Sequence, residues 1–192
     1  MDEWSKIGNF NTFMVGELRN ATQKTIAYSM NVPVDLNSPI NITPENLAEM
    51  IPSEKQNVVF KISVYGVPSR DAYQKERFDT FLKTRNLTGI PLYVGEWNNV
   101  VRTPGEGGLF TINPNASQLT EDDAAKILDE FKKASVWGTA FWKWDYKSAD
   151  TASFNLITVS NGMLLPTKYF DILKNAVASI YGGSKNYTSA IR

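Results

Sequence analysis

Two residue types are missing from this chain. It has no cysteine and no histidine. Without cysteine there is no disulfide and no thiolate chemistry. Without histidine the commonest general base, the commonest metal ligand and every histidine-dependent triad are excluded. Catalysis, if there is any, must rest on Asp, Glu, Lys, Tyr or Ser. An excess of charge is missing too: 20 basic residues balance 20 acidic ones. A neutral chain has no electrostatic case for gripping a phosphate backbone, so nucleic acid is not expected as a partner. No apolar run reaches membrane-spanning length. The first residues, "MDEWSKIGNF", lack the basic and then apolar order of a signal peptide, so none is expected in this chain.

What is present is an ordinary globular composition over 192 residues, enough for one domain with a sizeable core. Five N-x-S/T tripeptides occur, at Asn20, Asn41, Asn86, Asn115 and Asn186. They are either chance triplets or glycan acceptors of an extracellular chain.

Helix and strand patterns alternate along the sequence. Asp2 precedes a helical stretch, "EWSKIGNFNTFMVGELRNA", and "KTIAYSM" follows as a short strand. Thr43 with Pro44 behind it makes a helix start. "NVVFKISVYG" is a second strand, rich in β-branched and aromatic residues. Ser69 leads into an amphipathic helix with Tyr73, Phe78, Phe81 and Leu82 as its apolar stripe. "GIPLYVGEW" is the third strand, and the irregular stretch from Asn98 to Gln118 follows it. Thr120 and Asp123 stand near capping-box spacing before another helix. "VWGTAFWKW" is the fourth strand, and a helix closes the pattern between Pro166 and Tyr181. Such alternation predicts a parallel sheet covered by helices, either an open doubly wound sheet or a (β/α) barrel. The "PGEGG" stretch has neither dinucleotide-binding nor P-loop spacing.

In α/β folds ligands bind at the carboxyl ends of strands. Side chains alternate along a strand, so Leu92, Val94 and Glu96 are expected on one face, with Glu96 last. Gly95 allows a close approach beside the acid. Gly138, Ala140, Trp142 and Trp144 share a face of the fourth strand, small residues first and indoles at the end. Indoles at a barrel mouth form a platform for the C–H face of a sugar; plain core packing is the alternative, but two tryptophans on one face after two small residues fit a mouth better than a core. Lys61, Ser63 and Tyr65 share a face of the second strand, where the Tyr65 hydroxyl could donate to Glu96 and favour its ionised form.

"GIPLYVGEWNN" resembles the seventh-strand motif of glycoside hydrolase family 5, the cellulase-like (β/α)8 enzymes. "TAFWKWDY" is similar to the eighth strand and "VVFKISVYG" to the sixth, while "ELRNATQKTIAYSMN" resembles the fourth helix and fifth strand. The closing stretch from Phe154 to Gly182 resembles the end of that barrel. The resemblance covers nearly the whole chain and only the second half of a family barrel. It implies one partial domain over residues 1–192: the C-terminal half of a (β/α)8 TIM-type barrel, about four βα units with parallel strands. It also implies retaining hydrolysis of β-glycosidic bonds in a poly- or oligosaccharide or glycoconjugate. Glu96 would be the nucleophile, Tyr65 its support, and Trp142, Trp144 and Trp97 the substrate-binding aromatics. No metal and no cofactor is implied.

Two departures stand out. Ser63 occupies the place of a histidine in the resembled pattern. The acid/base glutamate belongs to an Asn-Glu pair, and this sequence has none; Glu3 falls inside the first helix instead. The acid/base is therefore expected from elsewhere. Expected partners are a carbohydrate and either a separate N-terminal half-barrel chain or a second copy of this one. The expected setting of the full-length parent is extracellular or at the cell surface. A half-barrel alone would expose strand edges and an apolar inner face. The alternatives are a non-catalytic carbohydrate-binding or remnant half-barrel and an unrelated open α/β domain.

Overall fold

A computed structural model describes residues 3–29, 43–70, 72–99, 102–104, 110–112, 119–142 and 155–182. Helix α1 spans Glu3–Ala21 and strand β1 Ile26–Ser29, followed by α2 over Pro44–Glu49 and β2 over Val58–Tyr65. Next come α3 (Ala72–Thr88), β3 (Leu92–Asn98) and a two-stranded ribbon, β4 (Arg102–Pro104) with β5 (Phe110–Ile112). Helix α4 (Glu121–Lys133), β6 (Gly138–Phe141), the hairpin β7 (Ile157–Ser160) and β8 (Met163–Pro166), and α5 (Lys168–Tyr181) complete the order.

Strands β1, β2, β3 and β6 lie side by side in that order, and every pair is parallel. Parallel neighbours need a crossover, and α2, α3 and α4 supply the three connections. This is the topology of half a (β/α)8 barrel. Local chemistry explains several boundaries. The Thr43 hydroxyl accepts from the Asn46 amide at the start of α2, with Pro44 in the first turn. The Thr120 hydroxyl accepts from the Asp123 amide at the start of α4, and three acids follow in the first turn, where the helix dipole favours negative charge. Helix α3 begins at Ala72, three residues past Ser69. The irregular stretch after β3 contains the β4–β5 ribbon, which periodicity does not reveal in strands of three residues. The β7–β8 hairpin turns at Asn161 and Gly162, which have φ of 51° and 74°. Asn-Gly tolerates these left-handed angles, and its presence in "VSNGML" was the available signal.

One face of the sheet meets the helices. Ile26 and Tyr28 of β1, Phe60, Ile62 and Val64 of β2, and Leu92, Val94 and Trp97 of β3 join a core with Phe78, Phe81, Ile127 and Phe131 from α3 and α4. The opposite face, which lines the interior of a barrel, carries Ala27, Ser29, Lys61, Ser63 and Tyr65, with Ala27 and Ser29 exposed. Val59, 2% exposed, alternates onto that face as well, so the inner face mixes apolar and polar side chains rather than being uniformly apolar. Exposed apolar surface lies instead on α1, at Phe10, Phe13, Met14 and Leu18, and on β8, at Met163, Leu164 and Leu165. Of the tripeptide asparagines, Asn20 and Asn86 are exposed on α1 and α3. Asn41, Asn115 and Asn186, like Asp2, lie outside the described residues. Among the described residues no helix is long and apolar enough to cross a membrane.

Candidate active site

Strand β2 turns Lys61, Ser63 and Tyr65 to the inner face because they alternate with the buried Ile62 and Val64. On β3 the same alternation breaks. Ile62 pairs with Val94, but the next residue, Ser63, pairs with Glu96 and skips Gly95. The register against β6 also shifts between Val94 and Trp97. One extra residue at Gly95–Glu96 makes a β-bulge, a device that re-aims a side chain. Leu92 and Val94 thus face the helices, while Glu96 is turned to the inner face. The expectation that these three share a face is corrected here: a period of two holds only while the ladder is unbroken.

The Lys61 ammonium stands 2.7 Å from Glu96 Oε1, and the Tyr65 hydroxyl donates to Oε2, also at 2.7 Å. Lys61 and Glu96 are 23% and 35% exposed at their side chains, so the pair is open to a ligand. Burial pushes the Glu96 carboxyl up. The hydrogen bonds from Lys61 and Tyr65, the Lys61 charge and the nearby Ser63 hydroxyl outweigh that, and hold it below the usual carboxylate range. Glu96 is a carboxylate at neutral pH.

Trp142 directly follows β6. Its ring meets Tyr65 edge-to-face, with centroids 6.0 Å apart and planes at 86°. Its backbone is tied to β3 twice: its amide donates to the Trp97 carbonyl at 3.0 Å, and its carbonyl accepts from Asn98 Nδ2 at 2.6 Å. Asn98 Oδ1 accepts from the Asn99 amide, and Asn99 Nδ2 donates to Asp123 Oδ2 at 2.6 Å. Arg70 closes the network, donating to Asp123 Oδ1 and Asn99 Oδ1. Buried polar groups of this kind are stable only when paired, and these pairs join the carboxyl ends of β3 and β6 to α4.

Glu96, Tyr65 and Trp142 therefore converge at one end of the sheet. Trp97 does not join them. It is 1% exposed and stacks edge-on against Phe131 and Phe141, at 6.0 and 5.0 Å. The bulge that sends Glu96 inward leaves Trp97 on the helix side, so Trp97 is corrected from a substrate-binding aromatic to a core residue. Trp144 lies outside the described residues, as does the side chain of Tyr73. Glu3 is the first residue of α1, as expected. The pairing of Lys61 with Glu96 and the Asn98–Asn99–Asp123–Arg70 network were not read from the sequence. A lysine amid the apolar "VVFKISVY" was the signal, since an ammonium on a half-buried strand needs a partner.

No protein-family model and no curated protein matches this sequence. Solved structures do match its fold. An endo-β-1,4-glucanase from Xanthomonas axonopodis pv. citri aligns with a TM-score of 0.60 at 14% identity, over 90% of this chain and 55% of that one. A GH5-4 broad-specificity endoglucanase from Clostridium longisporum aligns at 0.57 and 13%, over 91% and 51%. A Bacteroidetes-affiliated GH5 cellulase linked with a polysaccharide utilization locus aligns at 0.57 and 12%, over 96% and 54%. The chain shares the half-barrel fold of these endoglucanase structures. It spans about half the length of the solved structures it matches, and at these identities the likeness concerns the fold alone.

Proposed function

We propose that this chain carries the nucleophile side of a retaining β-glycosidase site, within a single partial barrel domain over residues 1–192. The observation that carries this reading is the ionised Glu96 at the carboxyl end of a barrel strand, held by Tyr65 and Lys61 beside Trp142. In the proposed reaction the Glu96 carboxylate attacks the anomeric carbon and forms a glycosyl-enzyme as the leaving oxygen departs. A second carboxyl group, about 5 Å away, protonates that oxygen and then activates water. The sequence holds no Asn-Glu pair to supply it, so the acid/base comes from the other half of the barrel, on the same polypeptide or another. Trp142 offers its face to the sugar ring, and the Tyr65 hydroxyl keeps the carboxylate oriented. The substrate is a β-linked poly- or oligosaccharide or glycoconjugate, and an extracellular or cell-surface setting belongs to this reading.

The test is an activated β-glycoside with a good leaving group, which needs little help from an acid. The expected result is a covalent adduct at Glu96, detected by peptide mass. Completing the barrel with a half that bears an Asn-Glu pair restores turnover with retention, and Glu96→Gln abolishes it. Full activity of the completed barrel after Glu96→Gln refutes the assignment. The missing Asn-Glu pair favours a second reading, a non-catalytic sugar-binding half-barrel. That reading is recognised by sugar binding that depends on Trp142, without any adduct or turnover.

A further inference from the structure

Gly95 has no conformational reason to be glycine. Positive-φ glycines occur at 66, 89, 162 and 182, and Gly95 is not among them, so its backbone suits other residues. The reason lies in space. A Cβ at position 95 would sit 2.5 Å from Lys61 Cγ, 2.6 Å from Cε and 3.1 Å from Cδ. The aliphatic stem of Lys61 lies across the hydrogen face of Gly95 on its way from β2 to Glu96. What approaches closely here is a side chain rather than backbone.

We propose that Lys61 is a positioning residue for Glu96, and that Gly95 is the gap through which its side chain reaches the carboxylate. Lys61 holds Oε1 and Tyr65 holds Oε2, each at 2.7 Å. These donors from one strand, one on each oxygen and with the Ser63 hydroxyl nearby, fix the plane of the carboxylate against β2. Lys61 is the cation paired with Glu96 among the described residues. The bulge and the gap act together: the extra residue turns the acid inward, and the absence of a side chain on that residue admits the ammonium. The proposal gives Glu96 a second support beside Tyr65, and its importance for catalysis rests on the nucleophile reading above. The device itself does not depend on that reading.

The test reads Glu96 directly, by carboxyl-carbon NMR titration of the full chain labelled at glutamate. Glu96→Gln identifies the resonance, and near-ultraviolet circular dichroism confirms folding. Lys61→Met keeps the stem and removes the charge. The expected result is an upward move of the Glu96 titration midpoint. Gly95→Ala, which displaces the stem but leaves the charge in the chain, moves it the same way. In a Lys61→Ala background, Gly95→Ala produces no further shift, because the gap then has nothing to admit. A midpoint unchanged in Lys61→Met, or an equal effect of Gly95→Ala with and without the Lys61 stem, overturns the proposal. Either Gly95→Ala or Lys61→Met suffices alone should the other fail to fold. An altered titration in a protein that never forms a glycosyl adduct supports the clamp and sinks only the glycosidase reading.

Discussion

Replacing Trp97 with alanine tests the face assignment on which the whole site depends. The two tryptophans nearest Glu96 are assigned opposite roles: Trp97 belongs to the core, while Trp142 belongs to the site. Trp97 is 1% exposed and packs against Phe131 of α4 and Phe141 of β6. A large aromatic side chain buries about 150–250 Å². At about 25 cal/mol per Å² the transfer contribution is about 4–6 kcal/mol. That figure is an upper bound, since a denatured chain already hides part of this surface. Large-to-small aromatic replacements in cores cost about 3–5 kcal/mol, so Trp97→Ala is expected to fall in that range. This is a large share of the 5–15 kcal/mol typical of a domain. Trp142 loses its edge-to-face contact with Tyr65, worth about 0.5–1.5 kcal/mol, and part of its area. Trp142→Ala should therefore cost only about 1–2 kcal/mol of stability, and under the proposed function its main effect is expected on sugar binding. Urea unfolding followed by far-ultraviolet circular dichroism measures both without relying on indole fluorescence. A cost below about 1 kcal/mol for Trp97→Ala, or an equal cost for Trp142→Ala, would show that β3 does not carry the bulge described.

Other expected outcomes follow from packing and charge. Gly8 of α1 has no room for a side chain, because a Cβ there would collide with the Glu49 carbonyl oxygen. Gly8→Ala should lower stability by about 1–3 kcal/mol despite its better helix propensity, read as a drop in Tm; an unchanged or raised Tm contradicts the α1–α2 contact. Among the described residues the buried Tyr28 hydroxyl has no hydrogen-bond partner, and burial pushes its pKa upward, so Tyr28→Phe should be neutral or stabilising by up to about 1 kcal/mol. A clear loss in the same melt would mean that the hydroxyl has a partner. Glu96 has a lowered carboxyl pKa when folded. Its contribution to stability is present above the ordinary carboxylate range and is lost as the pH falls through the lowered value. Wild type and Glu96→Gln should therefore converge in Tm on acidification, and a constant difference down to strong acid argues against the ionised assignment. The apolar surfaces on α1 and β8 should drive association of this chain at micromolar concentration. Phe13→Glu combined with Leu164→Glu should reduce the mass found by light scattering, whereas a wild-type monomer would count against those surfaces being sticky.

The sequence by itself determined the order of the main elements and much of the chemistry at their ends. Periodicity, threonine caps and the proline at 44 act within a few residues, so they can be read one segment at a time; α2 and α4 start where Thr43 and Thr120 place them. The carboxyl-end positions of Tyr65, Glu96 and Trp142 are local for the same reason. Only the tertiary structure decided which face of each strand looks inward. That choice depends on pairing between strands far apart in sequence, and the single extra residue at Gly95–Glu96 shows only against the registers of β2 and β6. It exchanged the surroundings expected for Leu92, Val94 and Trp97, and turned Glu96 to the inner face. It also made a partner of Lys61, 35 residues before Glu96, because a charge on a sheet is stabilised by what the next strand presents rather than by its own neighbours in sequence.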